Sequence, residues 1–333
     1  MTYRGRSAAS IENGQVRVTV LREGGHIAEI LHKASGVSPL WTPPWPSIEP
    51  SQYRPELHPE YGTNVESKLL AGIMGHNLCL DIFGGPSETE EAAGLGVHGE
   101  GSVAAYDIQA SGQTLRMTSC FPLAQIRFER TIQLQQAGLE IRESIENLTA
   151  FDRPIGWTQH VTLGPPFLEG GVTEFRASAT RSKVFEGTFG ADDYLQAGAS
   201  FEWPAAPRIG GGSADLSIFN RAARSSAFTA HLMDPRQDDA FFTAFHPGLK
   251  LSFGYRWKRA DFPWLGIWEE NRSRQHAPWN GGTIARGMEF GVSPMPESRR
   301  QMVERGRLFD EPAYRWLPAR GRVEATYFAG FTV

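Results

Sequence analysis

The chain has 333 residues, a net charge of −4 and 40% hydrophobic content. That composition supports a large core, and the absence of a basic stripe argues against nucleic acid and anionic lipid as partners. The start carries no apolar leader, and no apolar run reaches the ~18 residues of a membrane span, so a cytoplasmic protein with no membrane partner is expected.

Cys79 and Cys120 are the two cysteines, which is too few for a disulfide framework. Both lie in apolar runs and read as small buried residues. With 36 Gly and 22 Pro, the chain breaks into many short apolar stretches, the pattern of an all-β sandwich or barrel. Residues 16–21 alternate apolar and polar as a half-buried strand does, and residues 25–31 form its hairpin partner. Residues 39–59 hold seven prolines with Trp41, Trp45 and Tyr53. Proline removes ladder donors, so this is a loop. Two readings stay open for it: a wrap over an open sheet face, or a cover for a binding site. Residues 71–83 read as a strand that passes through Gly84-Gly85-Pro86 into an acidic turn. Gly94, Gly96 and Gly99 match a dinucleotide fingerprint by letter, but no strand precedes them and no helix follows. These glycines instead make tight turns or bring backbone close to a neighbour.

Residues 103–108, 114–121, 125–134 and 139–147 form an antiparallel meander with one wet face, on which Arg142 and Glu143 are placed. Residues 154–167 make the central strand, opened by Pro and closed by Gly-Pro-Pro. Residues 201–215 read as a turn or insertion. Strands follow at 228–233, 241–245, 249–257, 264–269, 283–292 and 323–331, and residues 296–305 hold helix formers. No repeat or linker divides the chain. The expected fold is a single all-β domain, 1–333, built as a large antiparallel β-sandwich with few short helices.

His160 is the one ionisable residue of the central strand, and imidazole is suited to proton transfer near neutral pH. His98 and His76 share its setting of glycine, aromatic and apolar residues, whereas His26 opens an ordinary strand. Each histidine taken singly is also readable as structural. Glu289 lies within Met288-Glu289-Phe290-Gly291-Val292. Buried there, it must be paired or protonated, and its pKa rises towards the range of a useful base. The other reading points it to water.

Gly96-Val97-His98-Gly99, then Asn147-Leu148-Thr149 with Trp157-Thr158-Gln159-His160, then Gly287-Met288-Glu289-Phe290, resembles in this order the aldose 1-epimerase (galactose mutarotase) family. The likeness runs loosely from about residue 16 to residue 333, as in a divergent member. It implies the mutarotase-like supersandwich and an isomerase of carbohydrate metabolism. Such an enzyme interconverts α and β anomers by acid/base ring opening. Glu289 would be the base, His160 the acid and His98 a sugar ligand. His76-Asn77 stands where the family carries Asn-Arg, so the sugar-gripping arginine is missing there, and both residues are taken as substrate ligands. Gly248-Leu249-Lys250 occupies the region of the family's Gly-x-Asp segment. Arg286 would substitute as a ligand if a bulge turned it to the face of Glu289. Trp157, Trp268 and Trp279 are candidates for a sugar platform or for core packing. The resemblance implies a small carbohydrate as partner, no cofactor, no metal, and a monomer or homodimer.

Three other readings remain: a non-catalytic carbohydrate-binding protein on the same fold, a metal-dependent isomerase using His76, His98, His160 and Glu289, and a glycosidase pairing Glu289 with Glu269 or Asp81.

Overall fold

Alternating strands joined by glycine and proline turns build two large antiparallel sheets. The computed structural model describes residues 1–332, so the last residue of the expected 1–333 unit lies outside the described residues. One sheet has twelve strands and the other eight. In the larger sheet the middle runs Ile27–His32, His76–Asp81, Arg153–Leu163, Ile284–Gly291, Trp264–Asn271 and Ser225–Met233. The smaller sheet runs Glu174–Ala177, Asp239–His246, Leu251–Lys258, Arg322–Thr332, Gly138–Asn147, Ile126–Leu134, Thr114–Phe121 and Asp107–Ser111. This is the expected all-β sandwich, and the meander from 107 to 147 has the expected antiparallel pairing.

Burial differs between the sheets for a physical reason. Ile126–Leu134 alternates between buried and more exposed residues, because one face of its sheet meets water. His76–Asp81, Trp264–Asn271 and Ser225–Met233 are buried at every position. One face of these strands packs on the facing sheet, and the other is roofed by loops and short helices. The shared core draws Trp257, Phe253 and Tyr327 from the small sheet and Met288, Phe290 and Leu265 from the large one. Trp257 stacks on Phe290 with ring centroids 4.2 Å apart.

The loop at 39–59 is part of the roof. Trp45 Nε1 donates to Leu70 O at 2.9 Å, and Ile48 N donates to Ala71 O at 2.9 Å. It props the short helix Ser67–Gly72 against the sheet, which fits the wrap reading rather than a direct cover.

Several expectations change. Residues 71–83 are the end of that helix followed by the strand His76–Asp81, since Gly75 takes a positive φ and breaks the run. The strand expected at 103–108 starts at Asp107 and follows a 3-10 turn at Glu100–Ser102, where Ser102 Oγ donates to Leu78 O. Residues 201–215 contain a small hairpin, Ala205–Pro207 with Ser213–Asp215. Cys79 is buried, but Cys120 is exposed because it points to the wet side of Thr114–Phe121.

Glu143 is the largest correction. It is buried at the centre of the sandwich, not solvated. Its carboxylate accepts from Arg130 Nε at 2.7 Å, Trp157 Nε1 at 3.0 Å, Gln159 Nε2 at 2.6 Å and Tyr327 OH at 2.7 Å. Four donors replace the water that this carboxylate loses. The same network takes in His76, whose Nε2 lies 3.0 Å from Gln159 Oε1 and whose Nδ1 lies 3.1 Å from Tyr255 OH.

Candidate active site

Strand register assembles the site. Directly opposed residues of an antiparallel pair share a face. His160 is opposite both Asn77 and Glu289, and Glu289 is opposite Gly266. Asn77, His160, Glu289 and Gly266 therefore form one row across four strands, on the roofed face. Two residues along, Thr162, Gly287 and Trp268 form the next row.

Above these rows lies a cavity of about 230 Å³. That is below the roughly 300–1,000 Å³ typical for drug-sized ligands and suits a molecule the size of one sugar ring. Its polar lining comes from His98, His160, Glu289, Arg274 and Glu66. Trp268, Trp279, Phe228, Phe189, Leu69 and Leu70 supply much of the apolar wall.

His160 Nε2 lies 3.1 Å from Glu289 Oε1. The contact is close, but it is off the ring N–H direction, and Glu289 Oε1 has no aligned hydrogen-bond partner in the protein. Burial pushes the Glu289 carboxyl well above the ordinary carboxylate range. Burial first, and the His98 ring second, push His160 well below the ordinary imidazole range. Both groups are therefore driven towards their neutral forms. His160 Nδ1 sits 3.1 Å from Thr162 Oγ1, two residues along the same face, which orients the ring.

Glycine makes the room. A Cβ on Gly287 would lie 2.1 Å from Glu289 Oε1, so the carboxylate occupies the space that a side chain at 287 would fill.

His98 reaches the cavity from the loop between the Glu88–Ala92 helix and the Glu100–Ser102 turn. Its φ is +66°, a left-handed conformation uncommon for a residue with a side chain. The next residue must be glycine, because a Cβ on Gly99 would lie 2.1 Å from Leu80 O. The close backbone approach expected of these glycines is thus onto the end of the His76–Asp81 strand. His98 Nδ1 donates to Phe83 O at 2.6 Å, which leaves Nε2 as the acceptor. Burial lowers its pKa to about 4, so the ring is neutral near pH 7. The His98 and His160 rings are 5.0 Å apart.

The structure brings His160, Glu289, His98, Trp268 and Trp279 to this cavity. Asn77 shares the row with His160 but is fully buried behind the lining, with its Nδ2 unpaired by protein groups. His76 and Arg286 do not join them. Both are one residue out of phase and face the sandwich interior. His76 is held by Gln159 and Tyr255, as described above. No bulge turns Arg286: it stays in register with Glu269 and Leu163, donates to Leu216 O and stacks on Phe175 at 4.1 Å. Trp157 is likewise a core residue bonded to Glu143.

These placements bear on the other readings. The set His76, His98, His160 and Glu289 does not converge, because His76 is on the far face. Glu269 also faces inward, bonded by Ser225 Oγ at 2.5 Å and Tyr194 OH at 3.2 Å. Asp81 is held by Arg153 and Arg299.

Sequence reasoning missed Thr162, Gly287, Phe189, Phe228 and Arg274. Strand alternation from His160 gave a signal for Thr162. Arg274 lies in a loop after a strand, and nothing in its local pattern marked it.

No protein-family model matches the chain, and no curated protein matches it in sequence. Solved structures do match in shape. A proposed aldose 1-epimerase from Escherichia coli K12 superposes with a TM-score of 0.66 at 12% identity, over 98% of this chain and 99% of that one. A galactose mutarotase-like protein from Clostridium acetobutylicum gives 0.61 at 12% identity, over 100% and 97%. A galactose mutarotase related enzyme from Lactobacillus acidophilus gives 0.59 at 13% identity, over 98% and 97%. The chain therefore has the galactose mutarotase-like β-sandwich fold.

Proposed function

We propose that the protein is a mutarotase that interconverts the α and β anomers of a sugar. The observation that carries this reading is the facing pair of His160 and Glu289, 3.1 Å apart at a cavity of ring size. Mutarotation requires one group to take the C1 hydroxyl proton and another to give a proton to the ring oxygen. Glu289 is the acceptor and His160 Nε2–H the donor. The C1–O5 bond then breaks, the open aldehyde rotates about C1–C2, and the ring closes as the same two protons return. His98 Nε2 accepts a hydrogen bond from a sugar hydroxyl.

The resting pair holds its proton on the Glu289 side, because burial disfavours both charges. A sugar hydroxyl that donates to the Glu289 carboxyl restores part of the lost solvation. That favours transfer of the proton across the short contact to His160 and makes the reactive form. Each positioned acid or base contributes about 10²–10⁴-fold.

The test is polarimetry on freshly dissolved anomers of a panel of aldoses. The purified protein should speed equilibration of at least one, and Glu289→Gln should remove the acceleration while leaving the fold intact. Binding without acceleration by the wild-type protein would make it a carbohydrate-binding protein instead. Full activity in Glu289→Gln would sink the assignment.

A further inference from the structure

Arg274 is the one arginine among the cavity-lining residues. It stands in the loop that follows the Trp264–Asn271 strand. Its guanidinium carbon lies 4.8 Å from the Trp279 ring, 5.5 Å from Trp268 and 6.0 Å from Phe189. Three aromatic rings thus flank its positive charge, a setting that favours arginine over lysine.

The protein makes almost no use of its N–H groups. Among the described residues, Arg274 makes one ion pair, Nε to Glu270 Oε2 at 3.6 Å, which is longer than a hydrogen bond. The other oxygen of Glu270 is spent on the loop backbone, accepting from Ser273 N at 2.6 Å and Arg274 N at 3.1 Å. The side chain of Arg274 is only 17% exposed. Its terminal nitrogens make no hydrogen bond among the described residues and are not among the atoms sealed from solvent, so they are open to an acceptor that enters the cavity. The geometry that best meets the two terminal N–H groups is a planar or tetrahedral oxyanion bound at two points.

The electrostatics of the cavity permit this. Glu289 and His160 carry no net charge between them on either side of the proposed proton transfer, so the pair does not set a net negative charge against an anion. Glu66, the other lining carboxylate, lies 3.8 Å from His276 Nε2.

We infer that Arg274 receives an anionic substituent, a carboxylate or a phosphate, carried by the sugar whose anomeric centre meets His160 and Glu289. This rests on the mutarotase reading for its catalytic half but not for its binding half.

The experiment compares anomer exchange of glucose, glucuronate and glucose 6-phosphate by the wild-type protein at pH 7, each corrected for its spontaneous rate. At least one acidic sugar should exceed glucose at least about tenfold in kcat/KM, as expected of a charge-assisted hydrogen bond. The two acidic arms identify which oxyanion fits. Arg274→Gln should bring the ratio close to one, and Arg274→Lys, which keeps the charge without the fork, should leave it in between. Glucose handled as well as both acidic sugars by the wild type, or a ratio unchanged in Arg274→Gln, overturns the inference. The wild-type comparison stands even if a variant fails to fold. If no sugar is accelerated, the mutarotase reading fails alone, and calorimetric titration with the same three sugars decides the anion site. Binding of an acidic sugar at least tenfold tighter than glucose, lost in Arg274→Gln, supports the site; no such preference removes it.

Discussion

A single methyl group at position 287 separates folding from catalysis. Gly287 lies on the same strand face as Glu289, under its carboxyl group, and a Cβ there would lie 2.1 Å from Oε1 and 3.1 Å from Trp268 Cβ. Ordinary van der Waals contact begins near 3.4 Å, so the carboxylate would have to retreat by about 1.3 Å. The obstructing atom is the free end of a side chain beside a cavity, so it can swing aside without moving backbone. The stability cost of Gly287→Ala should therefore be small, about 1 kcal/mol or less, because alanine suits a strand at least as well as glycine. The catalytic cost should be large. A displacement of about 1 Å at a reacting group costs about 10²-fold. Polarimetry on a substrate the wild type equilibrates, run beside thermal unfolding, reads both quantities. Wild-type kcat/KM in a well-folded Gly287→Ala protein would refute the claim that the carboxylate works from the place where it now sits. Gly291→Ala is the contrast: its Cβ would lie 2.7 Å from the Trp157 carbonyl oxygen, which cannot swing away, so stability should fall first.

Two further outcomes follow from burial. Glu143→Gln leaves Arg130 buried beside a neutral partner and should cost about 3–5 kcal/mol in denaturant unfolding. Glu146→Gln, which touches the half-exposed Arg127, should cost under about 1 kcal/mol, and equal losses for the two would contradict the network's role. The pH–rate profile should have a broad plateau. The pair works while it holds one proton; it gains a second only below the lowered pKa of His160 and loses its last only above the raised pKa of Glu289, so both limbs move outwards. A bell narrower than the span between the ordinary carboxylate and imidazole values would mean that the two groups titrate in water-like surroundings.

How far the fold could be read depended on what each residue's pattern depends on. Thr114–Phe121 and Ile126–Leu134 were legible because one wet face imposes a period of two. The central strand was legible because Pro154 and Gly164-Pro165-Pro166 bracket it. Arg6–Glu12 was not, because its buried members include Arg6, which is satisfied by Glu49, Gly72 and Glu23 from distant segments. Glu143 failed for the same reason: charge alternation along 139–147 looks like a solvated face, and only the three-dimensional arrival of Arg130, Gln159 and Tyr327 makes burial possible. In the site, His160, Glu289 and His98 stood out as ionisable residues in apolar or glycine-rich runs. His76 and Arg286 looked the same locally, and what separates them is phase. Phase follows from register, and register is set by pairing partners far away in sequence. Once Glu289 is fixed on the cavity face, strand alternation alone sends Arg286 to the other side.

The same logic explains why the middle of this sheet carries residues that local rules would exclude. A carboxylic acid, an imidazole and an amide occupy one row across strands that are buried nearly throughout. Glycine sits at 266, 287 and 291 on that face, where side chains would otherwise pack. Glycine weakens a strand and an unpaired buried polar atom weakens a core, so neither choice is explained by stability. Together they leave a cavity walled by His98, His160, Glu289 and Arg274 on its polar side and by Trp268 and Trp279 on its apolar side. A small ring that carries hydroxyls on its edge and C–H groups on its face matches both kinds of wall. On the proposed mechanism the row also sets an order of events: an occupant that donates a hydrogen bond to the Glu289 carboxyl favours moving its proton to His160, so the pair would be neutral when empty and charged in opposite senses when occupied.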